Sequence, residues 1–434
     1  MHTRVLASLA ATALLAAGCS AVPATESPSA HAPAATDGTP PGTPAPGRAE
    51  PTRGTTAPGG SAVPFGAHTT RYVAGALRPS GDQAMLDRTV IDAYGRWKAA
   101  FVRNGCASFQ VISPDADHPY VAEAQGYGMV ITATMAGADP DAKKIFDGLV
   151  DYVLAHPSSG NPDLLAAEQN ASCKSVNGGD SATDGDLDVA YGLLLADRQW
   201  GSTGAHDYRR LAVKRIEAVK ASEINAETHL LTLGDWATPD DPLHRLSRSS
   251  DWMIDRFRAF EKATGDPGWA TVRTAHQDLI ASLQARHGTG LLPDFVRDGR
   301  PVKGRALEDR HDGAYYWNAL RDPWRIGDDA LTSGDARSLA AARKLTTWIK
   351  GRTGGDPDRI AAGYELDGTP IGKDPEPAFT APFAVAAMTE PSSQAWLDAL
   401  WKTMAATAFD ANDYFAASVQ LQVMITVSGN RWAP

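Results

Sequence analysis

The sequence predicts an all-α fold, and three observations carry that expectation. Long segments repeat apolar residues every three to four positions, strict alternation is scarce, and Pro, Gly and Asp punctuate the gaps between segments. Asp82 to Val102 opens the series, with Met85, Leu86, Val90, Ile91, Tyr94, Trp97 and Phe101 at helical spacing. The same periodicity predicts helices over Val121 to Met135, Asp141 to Leu154, Ala182 to Trp200, His206 to Val219, Asp251 to Thr264 and Trp269 to Ala285. It resumes over Asp335 to Trp348, Phe379 to Met388, Ser393 to Met404 and Asp413 to Met424. Gly265-Asp266-Pro267 and Gly354-Gly355-Asp356-Pro357 are turn chemistry between them. No repeat of fixed period is present, which disfavours a regular solenoid. Helical hairpins arranged round an axis, closing a double ring, fit the pattern better.

The ends read differently. Arg4 followed by an apolar run from Val5 to Ala17 has the layout of an export signal, and that run is too short to span a bilayer. Leu14-Leu15-Ala16-Ala17-Gly18-Cys19 resembles the lipobox of bacterial lipoproteins, so residues 1–19 are expected to be a leader with Cys19 lipidated. An ordinary signal peptide containing a cysteine is the alternative. Residues 20–66 are dominated by Ala, Pro, Thr, Gly and Ser and offer almost nothing to bury, so a disordered tether is expected there and a catalytic domain over 67–434. Export implies an oxidising compartment. With Cys19 assigned to lipid, Cys106 and Cys173 are left to form a disulfide, two free buried thiols being the alternative.

A hydrophobic fraction of 43% and a charged fraction of 21% are ordinary for a globular chain. The net charge of -10 argues against a nucleic-acid partner, whose phosphates an acidic surface repels. The membrane is expected to be met through the lipid anchor only, and the protein to be a monomer without cofactor.

Three segments concentrate residues able to do chemistry. In the first, Glu123 opens a helix containing Gly126 and Gly128, which cost helix stability unless something approaches the backbone closely. Glu123, Gln125 and Tyr127 then form a polar rim, with a carboxyl suited to general-acid work; the competing reading is a Glu favoured by the helix dipole. In the second, Asp184, Asp186 and Asp188 crowd the first turns of an apolar helix. No register supplies the Gly and Glu of a calcium loop, so no metal is expected, and Thr183 with Asp186 approximates a capping box. The third, Ala306 to Arg325, gathers Tyr315, Tyr316, Trp317, Arg321, Trp324 and Arg325, either a sugar-stacking wall or the buried face of a helix.

The strings AEAQGYGM, SATDGDLDVAYGLLLADRQWG and YYWNALRDPWRIGDD, in this order, resemble the three signatures of glycoside hydrolase family 8, and LTLGDWA and RSSDWMIDRFRAF add to the likeness. The resemblance implies an (α/α)6 barrel with a substrate cleft across one end, and inverting endo-hydrolysis of a β-1,4-linked polysaccharide such as chitosan or β-glucan. It implies Glu123 as proton donor and Asp184 as the aspartate that binds the sugar at the cleavage point. It further implies sugar contacts from Gln125, Tyr127, Trp236, Tyr316, Trp317, Asn318, Arg321 and Trp324. One position departs from the family pattern: Asn318 stands where many members have a catalytic aspartate, and an amide cannot take a proton from water. A subgroup with Asn here uses a glutamate from a preceding loop. Glu308 is the expected base, with Asp309 and Asp312 as fallbacks. A degenerate, non-catalytic carbohydrate-binding lipoprotein is the rival reading.

Overall fold

The computed structural model describes residues 62–434 except 107 and 115–117. The expected leader 1–19 with Cys19, and nearly all of the 20–66 tract, lie outside the described residues. The tract's expected end at Gly66 needs correction. Val63 is buried, its N–H and C=O bond the Gln199 amide at 2.6 and 3.1 Å, and Phe65 donates to the Ala136 carbonyl. A valine with both backbone groups satisfied belongs to the folded domain.

Thirteen α-helices follow among the described residues: α1 (Gln83–Phe101), α2 (Ala122–Thr134), α3 (Ala142–Ala155), α4 (Thr183–Trp200), α5 (Tyr208–Ser222), α6 (Ile254–Thr264), α7 (Gly268–Arg286), α8 (Asp322–Ser333), α9 (Ala336–Thr353), α10 (Pro377–Thr380), α11 (Pro382–Ala387), α12 (Gln394–Ala406) and α13 (Tyr414–Val427). Helices α2, α4, α6, α8, α11 and α13 pack in that order, and α13 returns to α2, closing an inner ring. Around it, α3 lies on α2, α5 on α4, α7 on α6, α9 on α8, α12 on α11 and α13, and α1 on α13. This is the (α/α)6 barrel.

Burial separates the rings as amphipathicity demands. Every residue of α2 is buried, as is all of α13 from Ala416 to Val427. Outer helix α1 buries a single stripe of Leu86, Val90, Ala93, Tyr94, Trp97 and Phe101. Met85 and Ile91, expected in that stripe, face solvent instead at 70% and 39% exposure. Periodicity missed α8. Its Pro323, Gly327, Asp328 and Asp329 look like loop residues, yet all four are buried, with the Arg431 and Arg258 guanidiniums on the two aspartates.

Glycines decide how closely α2 and α4 pack. A Cβ on Gly185 would lie 2.6 Å from Ala122 Cβ, one on Gly126 2.9 Å from Asp188 Cβ, and one on Gly192 2.8 Å from Met129 Cβ. The helix-propensity loss at these positions is the cost of bringing the backbones together. The group that approaches Gly126 is thus a neighbouring helix and not a ligand.

Short strands tie the loops at the ring's mouth. β1 (Val102–Gly105) and β2 (Ser108–Val111) form a hairpin, and β3 (Tyr120–Val121) pairs with β4 (Glu168–Gln169) just before α2. β5 (Leu246–Arg248) pairs with β6 (Phe295–Arg297), which pairs with β7 (Arg300–Pro301). Cys106 and Cys173 are bridged, joining the β1–β2 turn to the loop after β4. No described helix is long and apolar enough to cross a membrane.

Candidate active site

Glu123 sits in the first turn of α2, directly after β3, and is 4% exposed. Arg321 donates to its Oε2 and the Tyr414 hydroxyl to its Oε1, so both carboxyl oxygens are engaged. Burial pushes its pKa up, Arg321 pulls it down, and the charge of Asp184 pushes it up again; the net direction is upward. A carboxyl that holds its proton beside a cationic hydrogen-bond donor is equipped for general-acid work.

Asp184, in the first turn of α4, lies 3.6 Å from Arg321 Nη1 and 3.5 Å from Arg248 Nη1. The capping-box reading of this segment does not hold. The N-cap is Ala182, Thr183 Oγ1 has no partner, and Asp186 turns away to pair with Arg215 and accept the Leu165 N–H. Asp188 points into the ring, where Arg325 and Arg256 overcome its burial and hold its pKa down to about 2.

The Glu308 side is built from the loop between β7 and α8. Asn318, itself buried, donates from Nδ2 to Glu308 Oε2 at 2.8 Å, while its Oδ1 accepts from Arg321 Nη2 at 2.9 Å. Glu308 and Glu123 are therefore joined through one amide and one guanidinium. Burial raises the Glu308 pKa while Arg248 and the Asn318 bond oppose the rise, and its Oε1 accepts no bond from the protein. The two fallback bases fare differently. Asp309 is exposed and caps its own turn through the His311 N–H, and the buried Asp312 has both oxygens occupied by backbone N–H groups.

Of the expected sugar contacts, Tyr316, Trp317 and Trp236 are half-buried. Trp317 stands 5.0 Å from Phe379 and 6.4 Å from Phe415, whose ring lies under Arg321 at 5.4 Å, giving an aromatic wall beside Glu123. Trp236 packs against the small cluster of Leu233, Leu246 and Phe295, as do Ala306 and Leu307, the residues leading into Glu308. Gln125, Tyr127 and Trp324 are corrected to positions behind the site. Gln125 is fully buried with its amide on the Val111 backbone. Trp324 donates to Asp328 in the core, and Tyr127 accepts from Arg321 beneath Glu123. Arg321 is buried as well, its guanidinium spent on Glu123, Tyr127, Ser250 and Asn318.

Sequence reasoning missed Arg248, Asp294 and Tyr414. Asp294 accepts the N–H groups of Tyr316 and Ala319 at 2.9 and 2.7 Å and fixes the turn bearing Asn318; burial pushes its pKa up to about 8. Arg248 ends β5 between Asp184 and Asp251. No motif joins these residues to their partners, and the only cue was the RSSDWMIDRFRAF string, which opens with Arg248. Among the described residues no group of His, Cys, Asp or Glu is arranged to hold a metal ion.

The family model for glycosyl hydrolases family 8 matches residues 72–429. A β-glucanase from Niallia circulans is 40% identical over 376 residues, covering 85% of this chain and 91% of that protein. An endoglucanase from Bacillus sp. (strain KSM-330) is 37% identical over 377 residues, covering 83% and 80%. The apo structure of a β-1,3-1,4-glucanase from Paenibacillus sp. X4 superposes with a TM-score of 0.82 at 40% identity, covering 87% of this chain and all of that one. The chain belongs to glycosyl hydrolases family 8 and is a glycoside hydrolase.

Proposed function

We propose that the enzyme cuts internal β-1,4 bonds of β-glucan, with mixed-linkage β-1,3-1,4-glucan as the preferred polymer, and that it does so with inversion. The Glu123–Arg321–Asn318–Glu308 chain of contacts carries this reading, because it joins a buried acid to a second carboxyl with one free oxygen. Glu123, protonated, donates to the departing glycosidic oxygen while ionised Glu308 takes a proton from water attacking the opposite face of the sugar. Asp184 binds the sugar at the cleavage point, and Trp317 with Tyr316 stacks on neighbouring rings. Asn318 serves as a donor that holds Glu308, which explains how an amide can occupy this position in an active enzyme. The polymer preference rests on the two relatives at 40% identity, a β-glucanase and a β-1,3-1,4-glucanase. Cys19 is proposed to anchor the exported enzyme in the membrane by lipid.

Reducing-end release on lichenan, carboxymethylcellulose, chitosan and xylan tests the reading, with Glu123→Gln and Glu308→Gln beside the parent. Lichenan is expected to be cut fastest, both variants to lose at least about a thousandfold in rate, and the first product seen by NMR to be the α-anomer. Preferred cleavage of chitosan would replace the substrate, and a fully active Glu308→Gln would remove the base. Binding without cleavage by the parent would favour a non-catalytic carbohydrate-binding protein.

A further inference from the structure

The loop that delivers Glu308 has no regular secondary structure of its own, and Lys303, Gly304, Arg305, Asp309 and Arg310 on it are exposed. A general base must nevertheless be held within a fraction of an ångström of its water. The structure supplies a device for this that the mechanism above does not use. The Asp312 carboxylate, 1% exposed, accepts four consecutive backbone N–H groups: Ala306, Leu307 and Glu308 on Oδ2 at 2.7, 2.7 and 3.1 Å, and Asp309 on Oδ1 at 2.7 Å. One of the four is the amide of the base itself. Asp312 is in turn tied to the sheet, its carbonyl accepting the Phe295 N–H at 2.8 Å.

We propose that Asp312 is a positioning residue for the catalytic base: its carboxylate folds residues 306–309 into a fixed crook, and Asn318 fixes the far end of the Glu308 side chain. The proposal rests on Glu308 being the base. An ionised carboxylate suits the task because it presents two acceptor oxygens to converging N–H donors, and such charge-assisted bonds are roughly twice as strong as neutral ones. Held at one end only, the Glu308 side chain would swing on its loop and the attacking water would lose its alignment. The Asp312 charge also faces Glu308 and raises its pKa, against Arg248 and Asn318, which lower it.

Two variants separate position from charge. Asp312→Asn keeps one acceptor oxygen and removes the charge, whereas Asp312→Glu keeps the charge and displaces the carboxylate. Both are expected to lower kcat by roughly 10- to 100-fold with little change in KM, the cost of about an ångström of misplacement. The acidic limb of kcat/KM should move to lower pH in Asp312→Asn and stay in place in Asp312→Glu. A change that merely unfolded part of the sample would scale the rate without moving the limb. If Asp312→Asn shows no cooperative melt, Asp312→Glu decides, its kcat read per folded molecule with the folded fraction taken from its own melt.

Azide separates this proposal from the reading beneath it. In Glu308→Ala, azide attacks the anomeric carbon, the glycosidic oxygen leaves with the Glu123 proton, and an α-glycosyl azide accumulates; in Asp312→Ala it should not. Parent-like kcat and pH profile in both Asp312 variants would overturn the positioning role. Azide product from Asp312→Ala but not Glu308→Ala would make Asp312 the base, and an active Glu308→Ala without azide would overturn the Glu308 reading whatever Asp312 does.

Discussion

Replacing both bridged cysteines, as Cys106→Ser with Cys173→Ser, gives a stability change whose size follows from the chain. The bridge spans a sequence separation of 67 residues. Closing a loop of that length in the unfolded chain costs entropy equivalent to about 4 kcal/mol at 25 °C, and removing the bridge returns that freedom to the unfolded state. For a domain of roughly 370 residues, unfolding entropy of about 2.1 cal/mol/K per residue converts this into a fall in Tm of about 5 °C. Calorimetric melts of the parent, the double variant and the parent with reductant test it. The last two should fall together, and the double variant should ignore reductant. Because the effect is assigned to the unfolded state, lichenan hydrolysis at 25 °C should stay within about twofold of the parent. A Tm change below about 1 °C would refute the loop-entropy reasoning. A large loss of kcat at 25 °C would show instead that the bridge shapes the folded site, whose Glu123 follows strand β3 beside the bridged loop.

Three further outcomes are expected. Asn318→Asp removes the donor to Glu308 and sets a second carboxylate against it, so kcat should fall by about tenfold or more and the acidic limb should move to higher pH; an unchanged limb would contradict the contact. Gly185→Ala drives a Cβ to 2.7 Å from the Ala122 backbone carbon and should cost roughly 1–3 kcal/mol together with activity, since Ala122 adjoins Glu123. Gly351→Ala, in α9 with nothing within 4 Å, should instead stabilise by up to about 1 kcal/mol, and chemical denaturation compares the two. Asp294 has its pKa raised from 3.8 to about 8, so its contribution to stability is complete below pH 3.8 and is lost as pH rises through about 8. Asp294→Asn keeps the acceptor for Tyr316 and Ala319, and the difference in stability between it and the parent should shift in its favour over that rise; a constant difference would refute the shift.

The barrel was legible wherever a helix shows one apolar stripe to a mostly apolar core, as Leu86, Val90, Trp97 and Phe101 do on α1. It was illegible at α8, because the ring's interior there is ionic. Asp328 faces the buried Arg431 and Asp329 the half-buried Arg258, and a reading that equates buried with apolar takes both aspartates for a loop. Glu123 and Asp184 were singled out by local strings and Glu308 by its place in a loop ten residues before Asn318, and the structure links the three through Arg248, Arg321 and Asn318. Gln125 and Trp324 carry the same strings but serve the core, since a motif marks residues that are needed without saying whether they touch a ligand or a neighbour. Tyr414 reaches Glu123 across 291 positions, and Arg248 reaches Asp184 across 64, separations that no local pattern encodes.

The return of α13 to α2 makes catalytic competence a late event in the life of the chain. Tyr414, at the head of α13, supplies the side-chain donor to Glu123 Oε1, and Arg431 enters the ring's interior to meet Asp255 and Asp328. A nascent chain extended only as far as α12 holds both proposed catalytic glutamates, yet it has an open ring, lacks the Tyr414 bond to Glu123 and leaves the buried Asp328 without its arginine. Such a chain has little to hold it in a finished form, because the closing contacts are among the more distant in sequence, Tyr414 lying 291 positions from Glu123. Synthesis and folding thereby act as a timer, and hydrolysis begins only after the last helix is seated.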